Sequence, residues 1–187
     1  MEKNWTFFDR ILRSLRISKI KSHIPSSTIL CDLGCGGKAY LLKYFESQLQ
    51  YGYGFDKDVP EETAKKYSVK KLMLESKIPL DNDSVDIVTM LASLEHFSNE
   101  SGVLQEVRRI LRPGGRVLIT VPTEHNKPLL ELLASLGVID KTEIIDHKRY
   151  YSKSKLTDSL ESAGFSPDYI DVRYWQFGLN LFAMAKK

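Results

Sequence analysis

The stretch ILCDLGCGGKAY (residues 29–40) places an aspartate and three glycines directly after an apolar run. Glycines at a strand-to-helix turn allow a sharp bend and a close approach of a ligand to the backbone. The first N–H groups of the following helix then point at that ligand. Gly34, Gly36 and Ala39 satisfy the G-x-G-x-x-G/A pattern of dinucleotide-binding proteins, but this short pattern alone is weak.

Asp32 bears on the charge of the ligand. It precedes Gly34 by two residues, at the end of the apolar run. A pyrophosphate beside this carboxylate would be repelled, whereas a cationic ligand would be attracted. S-adenosylmethionine carries a sulfonium and an ammonium and has no phosphate, so Asp32 favours it over a dinucleotide. The alternative is that Asp32 only caps the turn.

Two histidines are candidate general bases. His96 follows Glu95 after the apolar run VDIVTML, and His147 lies in DHKRYY. Imidazole titrates near neutral pH and can accept a proton from a hydroxyl nucleophile. His96 and His147 are therefore candidate catalytic residues. The alternative for each is a structural imidazole that bonds to the nearby backbone.

The elements that carry these residues alternate between strand and helix. The predicted strands are TILCDLG, YGYGFD, KKLML, VDIVTML and RVLITVP. The predicted helices between and after them are KAYLLKYFESQ, EETAKKYS, SGVLQEVRRIL and SKSKLTDSLESAG. Two further strand-like runs, DYIDVRYW and LNLFAMAK, are separated only by QFG, which predicts an antiparallel hairpin.

This alternation predicts an α/β fold: a Rossmann-like, doubly wound, mostly parallel seven-stranded sheet with a C-terminal antiparallel hairpin. Ligands of such sheets bind at the carboxyl ends of the strands, where the strand order reverses. The glycine turn lies at the carboxyl end of the first predicted strand. The predicted fold and the predicted site therefore agree.

One domain is expected to span residues 1–187, with a Rossmann-like core at 26–187 and an N-terminal amphipathic helix within 1–24. Residues 1–24 hold six basic and two acidic side chains, against a formal net charge of +3 for the whole chain. This asymmetry is too weak to predict nucleic-acid binding. The helix, at residues 5–20, is expected to pack as a lid over the cofactor, with weak contact to a membrane surface as the alternative.

Composition indicates the general kind of protein and its location. A hydrophobic content of 42% and a charged content of 27% are ordinary for a soluble globular protein. The N-terminus lacks the uninterrupted apolar core of a secretory signal. Cys31 and Cys35 are poorly placed to form a disulfide and are expected to be reduced, from which we expect a cytoplasmic location. Two cysteines alone make no metal site, so no metal is expected.

Five segments taken together carry a resemblance to a known family. LCDLGCGGKAY, YGYGFDKD, LESKIPLDNDSVDIVTMLASLEHF, LRPGGRVLITVP and HKRYYSKSKLTDSLESAGF resemble, in order, the motifs of class I S-adenosylmethionine-dependent methyltransferases of the small, single-domain, type 11-like kind. The likeness covers roughly residues 26–187. It implies S-adenosylmethionine as the cofactor and S-adenosylhomocysteine as the product. The chain departs from the family's G-x-G-x-G at its third glycine, where Lys38 stands beside Gly37.

The resemblance also implies a set of cofactor-binding residues. They are Asp32, Leu33, Gly34, Cys35, Gly36, Asp56, Glu75, Ser76, Leu91 and Ala92. Asp56 would accept hydrogen bonds from both ribose hydroxyls, and Glu75 with the backbone of Ser76 would reach the adenine edge. Leu91 and Ala92 would line the methionine side. The alternatives are a loop acid at Asp56 and a solvated surface acid at Glu75.

The methyl acceptor is expected to be a small molecule or a glycan-like or lipid-like compound. Residues 123–150, with a predicted helix at KPLLELLASLG, are the segment where we expect specificity to reside. A non-catalytic module that binds S-adenosylmethionine is the alternative function, because methyl transfer needs no diagnostic catalytic residue. An NAD-dependent oxidoreductase is less favoured because of Asp32 and the short chain.

Overall fold

The structure is a computed structural model that describes residues 7–73, 77–124 and 149–187, with only the backbone at residues 7–9. Its α-helices are α1 (Phe7–Ile20), α2 (Tyr40–Phe45), α3 (Glu100–Ile110) and α4 (Lys153–Ser162). Its strands are β1 (Thr28–Leu33), β2 (Leu49–Asp56), β3 (Glu62–Thr63), β4 (Tyr67–Lys71), β5 (Val85–Leu91), β6 (Leu111–Pro122), β7 (Ile170–Trp175) and β8 (Asn180–Lys186).

The strands form one sheet in the order β3-β4-β2-β1-β5-β6-β8-β7. Strands β4, β2, β1, β5 and β6 run parallel, and β7 and β8 form the predicted antiparallel hairpin beside β6. The chain winds from β1 toward β4 on one side and from β5 toward β6 on the other. The strand order therefore reverses at β1, which confirms the predicted fold class and switch point.

The structure adds one short strand that the sequence did not predict. Residues 61–68, EETAKKYS, were predicted to be helical, and this prediction is wrong: Glu62–Thr63 pairs antiparallel with β4, which begins at Tyr67. The Tyr67 ring is buried among apolar side chains, and its hydroxyl donates to Glu62 at 2.6 Å. Burial of this ring in the sheet outweighs the helical preference of the neighbouring residues.

Each face of the sheet carries its own apolar cluster. Cys31 and Val117 pack on the side of α3 and α4. Their chain neighbours Leu30 and Leu118 pack on the other side, with α2 and Ile20 at the end of α1. Burial on both faces explains why these strands read as nearly continuous apolar runs. The described part of the chain holds no helix with the length and hydropathy needed to cross a membrane.

Side-chain caps set the starts of the two long helices on that first face. Asn99 Oδ1 accepts a hydrogen bond from the Gly102 N–H at 3.1 Å at the start of α3. Ser152 Oγ accepts from the Lys155 N–H at 3.3 Å at the start of α4. Such caps satisfy N–H groups that have no partner inside the helix. Asn99 also ends the loop that leads from β5 toward α3, so this cap fixes one end of a segment beside the site.

Candidate cofactor site

Three strands end together around the glycine turn. The register places Leu33 of β1 beside Phe55 of β2, and Asp32 beside Thr89 of β5. The turn that follows β1 therefore lies between Asp56, the last residue of β2, and the carboxyl end of β5. This is the edge where open parallel sheets bind ligands.

The turn is held by the neighbouring strand. The N–H groups of Gly34 and Cys35 both donate to the Phe55 carbonyl, at 2.8 and 3.2 Å. Gly34 has φ of +79°, and a Cβ there would lie 2.4 Å from Ser93 Cβ. Gly36 has φ of +67° and open space within 4 Å of a built Cβ. Gly34 is required by packing as well as by conformation, whereas Gly36 leaves its surroundings open to a ligand.

Asp56 presents its carboxylate at the same edge. Its Oδ2 accepts a hydrogen bond from the Gly36 N–H at 2.9 Å, and its Oδ1 accepts from the Asp58 N–H at 2.9 Å. Each oxygen keeps a second lone pair. The backbone therefore fixes the orientation of a half-buried carboxylate that can still accept hydrogen bonds from a vicinal diol.

Asp32 is a buried acid, 4% exposed, whose Oδ1 accepts a hydrogen bond from the Thr89 hydroxyl at 2.7 Å. Burial raises the pKa of Asp32 to about 7; the Thr89 hydrogen bond opposes this rise and the nearby Asp56 adds to it. A cation placed beside Asp32 would favour its charged form. The two carboxylates therefore fit a ligand that has a cationic end and a diol. S-adenosylmethionine has both.

The loop after β5 contacts the glycine turn directly. Ser93 Oγ donates to the Leu33 carbonyl at 2.7 Å. Ala92 has φ of +54°, and its N–H donates to the Thr120 carbonyl of β6 at 2.9 Å. Leu91 is half-buried against the cluster that contains Leu30 and Leu118. Leu91 and Ala92 thus lie at the edge of the sheet that the sequence predicts for the site.

His96 lies on the same loop, in the short 3₁₀ turn Leu94–His96. Its N–H donates to the Ser93 carbonyl at 3.1 Å, and its side chain is half-buried. His96 is thus three residues from the side chain that touches the glycine turn. The other catalytic candidate, His147, lies outside the described residues, as do Glu75, Ser76 and the predicted helix at KPLLELLASLG.

Three site residues were missed by the sequence analysis: Thr89, Ser93 and Thr120. Thr89 leaves a weak signal, because it is a polar residue inside the apolar run VDIVTML. Ser93 and Thr120 leave none, because their partners are distant in the chain. Ser93 and Leu33 are 60 residues apart, and Ala92 is 28 residues from Thr120.

The two cysteines are free thiols buried in the core, and burial raises the pKa of both Cys31 and Cys35. Raised thiol pKa values disfavour the thiolate that metal binding and nucleophilic attack require. Among residues 7–73, 77–124 and 149–187, no three His, Cys, Asp or Glu side chains are grouped to hold a metal ion. Cys35 therefore contributes to the turn through its backbone and its packing.

Comparison with known families agrees with this geometry. A family described as "Methyltransferase domain" matches residues 7–169. The chain therefore belongs to this methyltransferase-domain family. The match and the fold together confirm the resemblance to class I S-adenosylmethionine-dependent methyltransferases, and the cofactor of this class is S-adenosylmethionine.

The individual relatives of known name share only about a quarter of their residues with this chain over the matched segments. The mitochondrial 2-methoxy-6-polyprenyl-1,4-benzoquinol methylase of Homo sapiens is 27% identical over 105 residues, which cover 48% of this chain and 32% of the relative. The chain thus spans about a third of that protein's length. The ubiquinone biosynthesis O-methyltransferase of Shewanella halifaxensis is 26% identical over 179 residues, covering 87% of this chain and 74% of the relative.

A solved structure, the S-adenosylmethionine-dependent methyltransferase from Mesorhizobium loti, superimposes with a TM-score of 0.72. It is 14% identical and is matched over 94% of this chain and 100% of its own. At this identity the likeness supports the fold alone. It is consistent with the Rossmann-like sheet and closing hairpin described above.

Proposed function

We propose that this chain transfers a methyl group from S-adenosylmethionine to a hydroxyl of a small, lipid-like aromatic acceptor. The observation that carries the proposal is the buried carboxylate of Asp32 beside the open glycine turn, which suits a cationic ligand and disfavours a pyrophosphate. The acceptor class is supported by the two curated relatives, whose names specify a polyprenyl benzoquinol and ubiquinone biosynthesis.

The residues at the sheet edge would hold the cofactor between them. Asp32 would face its cationic end, Asp56 its ribose hydroxyls, and the backbone from Leu33 to Gly36 would allow its close approach. Glu75 with Ser76 is proposed for the adenine edge, and Leu91 with Ala92 for the methionine side. When bound, S-adenosylmethionine supplies a methyl group already activated by its sulfonium. The chain itself then has to align the acceptor and exclude water.

His96 is the proposed general base for a hydroxyl acceptor. A phenolic or catecholic hydroxyl arrives protonated, so one imidazole nitrogen of His96 would accept the proton that this hydroxyl loses. The loop that carries His96 is hydrogen-bonded to the end of β1 through Ser93. His147 is kept as a second proposed base.

Helix α1 is proposed to act as a lid and as the surface that meets a lipid-like acceptor. The Arg13 guanidinium lies 3.6 Å from the centre of the Tyr40 ring. Tyr40 is the first residue of α2, just after the glycine turn. Ile11 and Leu15 are 39% and 44% exposed, and Arg10 is exposed near them. Apolar and basic side chains on one interfacial helix favour weak contact with an anionic membrane surface.

The proposal is tested with radiolabelled S-adenosylmethionine and a catechol that carries a short isoprenoid tail. We expect the wild-type chain to label this compound, and we expect no label on the matched compound whose two hydroxyls are already methylated. Binding of S-adenosylhomocysteine without label on any hydroxyl acceptor would support the non-catalytic module instead. The rate of labelling is measured with the acceptor in detergent and with the acceptor in vesicles. The difference between the two rates gives the contribution of a membrane surface.

A further inference from the structure

Arg149 anchors the far end of the loop that carries His96. Its two terminal guanidinium nitrogens donate to the Phe97 carbonyl and, at 3.0 Å, to the Ser98 carbonyl. Its Nε lies 3.4 Å from Glu100 Oε2 at the start of α3. One planar guanidinium therefore contacts two successive carbonyls of the loop and one carboxylate of the helix that follows it, a geometry that an arginine fork suits.

Two acidic side chains lie near Tyr151, two residues after Arg149. Glu95 is 1% exposed, Glu100 is largely buried, and the Tyr151 ring is fully buried beside them. Burial raises the pKa of Tyr151, and the negative charges of Glu100 and Glu95 raise it further, whereas Arg149 lowers it. Arg149 thus pairs with the largely buried Glu100, and its hydrogen bonds to the Phe97 and Ser98 carbonyls are charge-assisted.

The segment that carries Arg149 is itself fixed to the sheet. The Tyr151 N–H donates to the Pro122 carbonyl at 3.1 Å, and the Glu124 N–H donates to the Tyr151 carbonyl at 3.3 Å. Thr123 and Tyr151 form a parallel bridge just past the end of β6. Arg149 therefore extends from a backbone that is hydrogen-bonded to the carboxyl edge of the sheet.

The loop between β5 and α3 is consequently held on both sides of His96. Ser93 attaches one end to the Leu33 carbonyl at the glycine turn. Arg149 attaches the other end through Phe97 and Ser98. Loss of the Arg149 contacts would leave the cofactor end of the loop in place and free the Phe97 and Ser98 carbonyls, which follow directly after His96.

We infer that Arg149 is a positioning residue that fixes the loop of residues 93–99, and with it His96, relative to the glycine turn. The catalytic consequence rests on the proposed function, in which His96 receives the acceptor's proton. The physical claim about the loop does not, because it follows from the contacts of one guanidinium. A lysine at this position would keep the charge but could not bond to both carbonyls and Glu100 in the same fork.

Hydrogen–deuterium exchange tests the physical claim without any acceptor. Arg149→Gln and Arg149→Lys are compared with the wild type, each saturated with S-adenosylhomocysteine. Arg173→Gln is the matched control, since Arg173 has a side chain that is 71% exposed and pairs with Asp171. We expect amide exchange within residues 94–99 to rise by about tenfold in Arg149→Gln, the effect of losing one charge-assisted hydrogen bond, and by less in Arg149→Lys.

In both Arg149 variants, exchange in the glycine turn and affinity for S-adenosylhomocysteine should stay within about twofold of the wild type, since the Ser93 anchor remains. Unchanged exchange at 94–99 would overturn the inference. A parallel loss of protection in the glycine turn and in the loop would overturn it as well, since Arg149 would then support the whole fold. If Arg149→Gln does not fold, the Arg149→Lys comparison decides by the same criteria.

The catalytic consequence is read separately, with the isoprenoid catechol. We expect kcat to fall at least about tenfold in Arg149→Gln with an unchanged KM for S-adenosylmethionine, and we expect partial rescue in Arg149→Lys. An unchanged kcat in a variant whose loop exchange has risen would refute the catalytic role of Arg149. A wild-type chain that labels no acceptor would contradict the proposed function and leave the exchange result to decide the positioning of the loop.

Discussion

Replacing Asp32 by asparagine is expected to stabilise the ligand-free protein and to weaken cofactor binding. The carboxyl group is buried, and its pKa is raised from 3.8 to about 7. The folded state therefore binds a proton more tightly than the unfolded state, so stability from this group is present below pH 3.8 and is lost as the pH rises toward 7. Asparagine removes this titration and keeps an oxygen that can accept the Thr89 hydrogen bond.

The size of the effect follows from the shift. One pKa unit corresponds to about 1.36 kcal/mol. Asp32 therefore costs the folded state about 4 kcal/mol at pH 8, where the group is ionised, and under 2 kcal/mol at pH 5, where folding requires it to take up a proton. We expect the stabilisation by Asp32→Asn to be larger at pH 8 than at pH 5 by about 2 to 3 kcal/mol. The measurement is urea unfolding of wild type and variant at both pH values, without ligand.

Asp168→Asn is the control, because Asp168 is exposed in the short turn before β7. It should give the same small change at both pH values. Affinity for S-adenosylmethionine should fall about tenfold or more in Asp32→Asn, because the cationic end loses its counter-charge. A stability change in Asp32→Asn that is equal at pH 5 and pH 8 would refute the electrostatic account of Asp32. Unchanged affinity would refute its proposed place beside the cofactor.

Three further substitutions test the site. Gly34→Ala should destabilise the fold by about 2 to 4 kcal/mol in urea unfolding because of the clash with Ser93. Gly36→Ala should cost only about 1 kcal/mol, because it adds conformational strain without a clash. Equal costs for the two variants would contradict the described turn. Asp56→Ala should leave the fold intact and lower S-adenosylhomocysteine affinity at least about tenfold in calorimetry, and unchanged affinity would remove Asp56 from the site. His96→Gln should keep that affinity and slow transfer to a hydroxyl acceptor by about 10²- to 10⁴-fold, so equal rates would exclude His96 as the base.

The alternation of elements could be predicted because its causes are local. Strands buried on both faces need apolar side chains throughout, and glycine, proline and asparagine interrupt the chain between elements. The place of the site followed from the fold, since the carboxyl ends of parallel strands meet at one edge. Asp32, Gly34, Gly36 and Asp56 were brought together there as this reasoning requires.

What escaped prediction depends on contacts between distant residues. The strand at Glu62–Thr63 exists because the Tyr67 ring is buried and its hydroxyl bonds to Glu62, and neither fact can be seen in EETAKKYS. Arg149 reads in the sequence as one basic residue among several in DHKRYY. Its carbonyl partner Phe97 lies 52 residues away. Only the folded chain brings them together.

Thermal unfolding with S-adenosylmethionine, S-adenosylhomocysteine and NAD in parallel tests the central claim, that the edge around Asp32 and Asp56 binds an adenosyl ligand with a cationic end. A ligand at about a hundredfold its dissociation constant stabilises the folded state by roughly 2.7 kcal/mol, which raises the Tm by about 5 to 10 °C in a domain of this size. We predict this rise with both adenosyl ligands, none with NAD, and its loss in Asp56→Ala. A rise with NAD alone would contradict the account and would mean that Gly34, Gly36 and Ala39 bind a pyrophosphate despite Asp32.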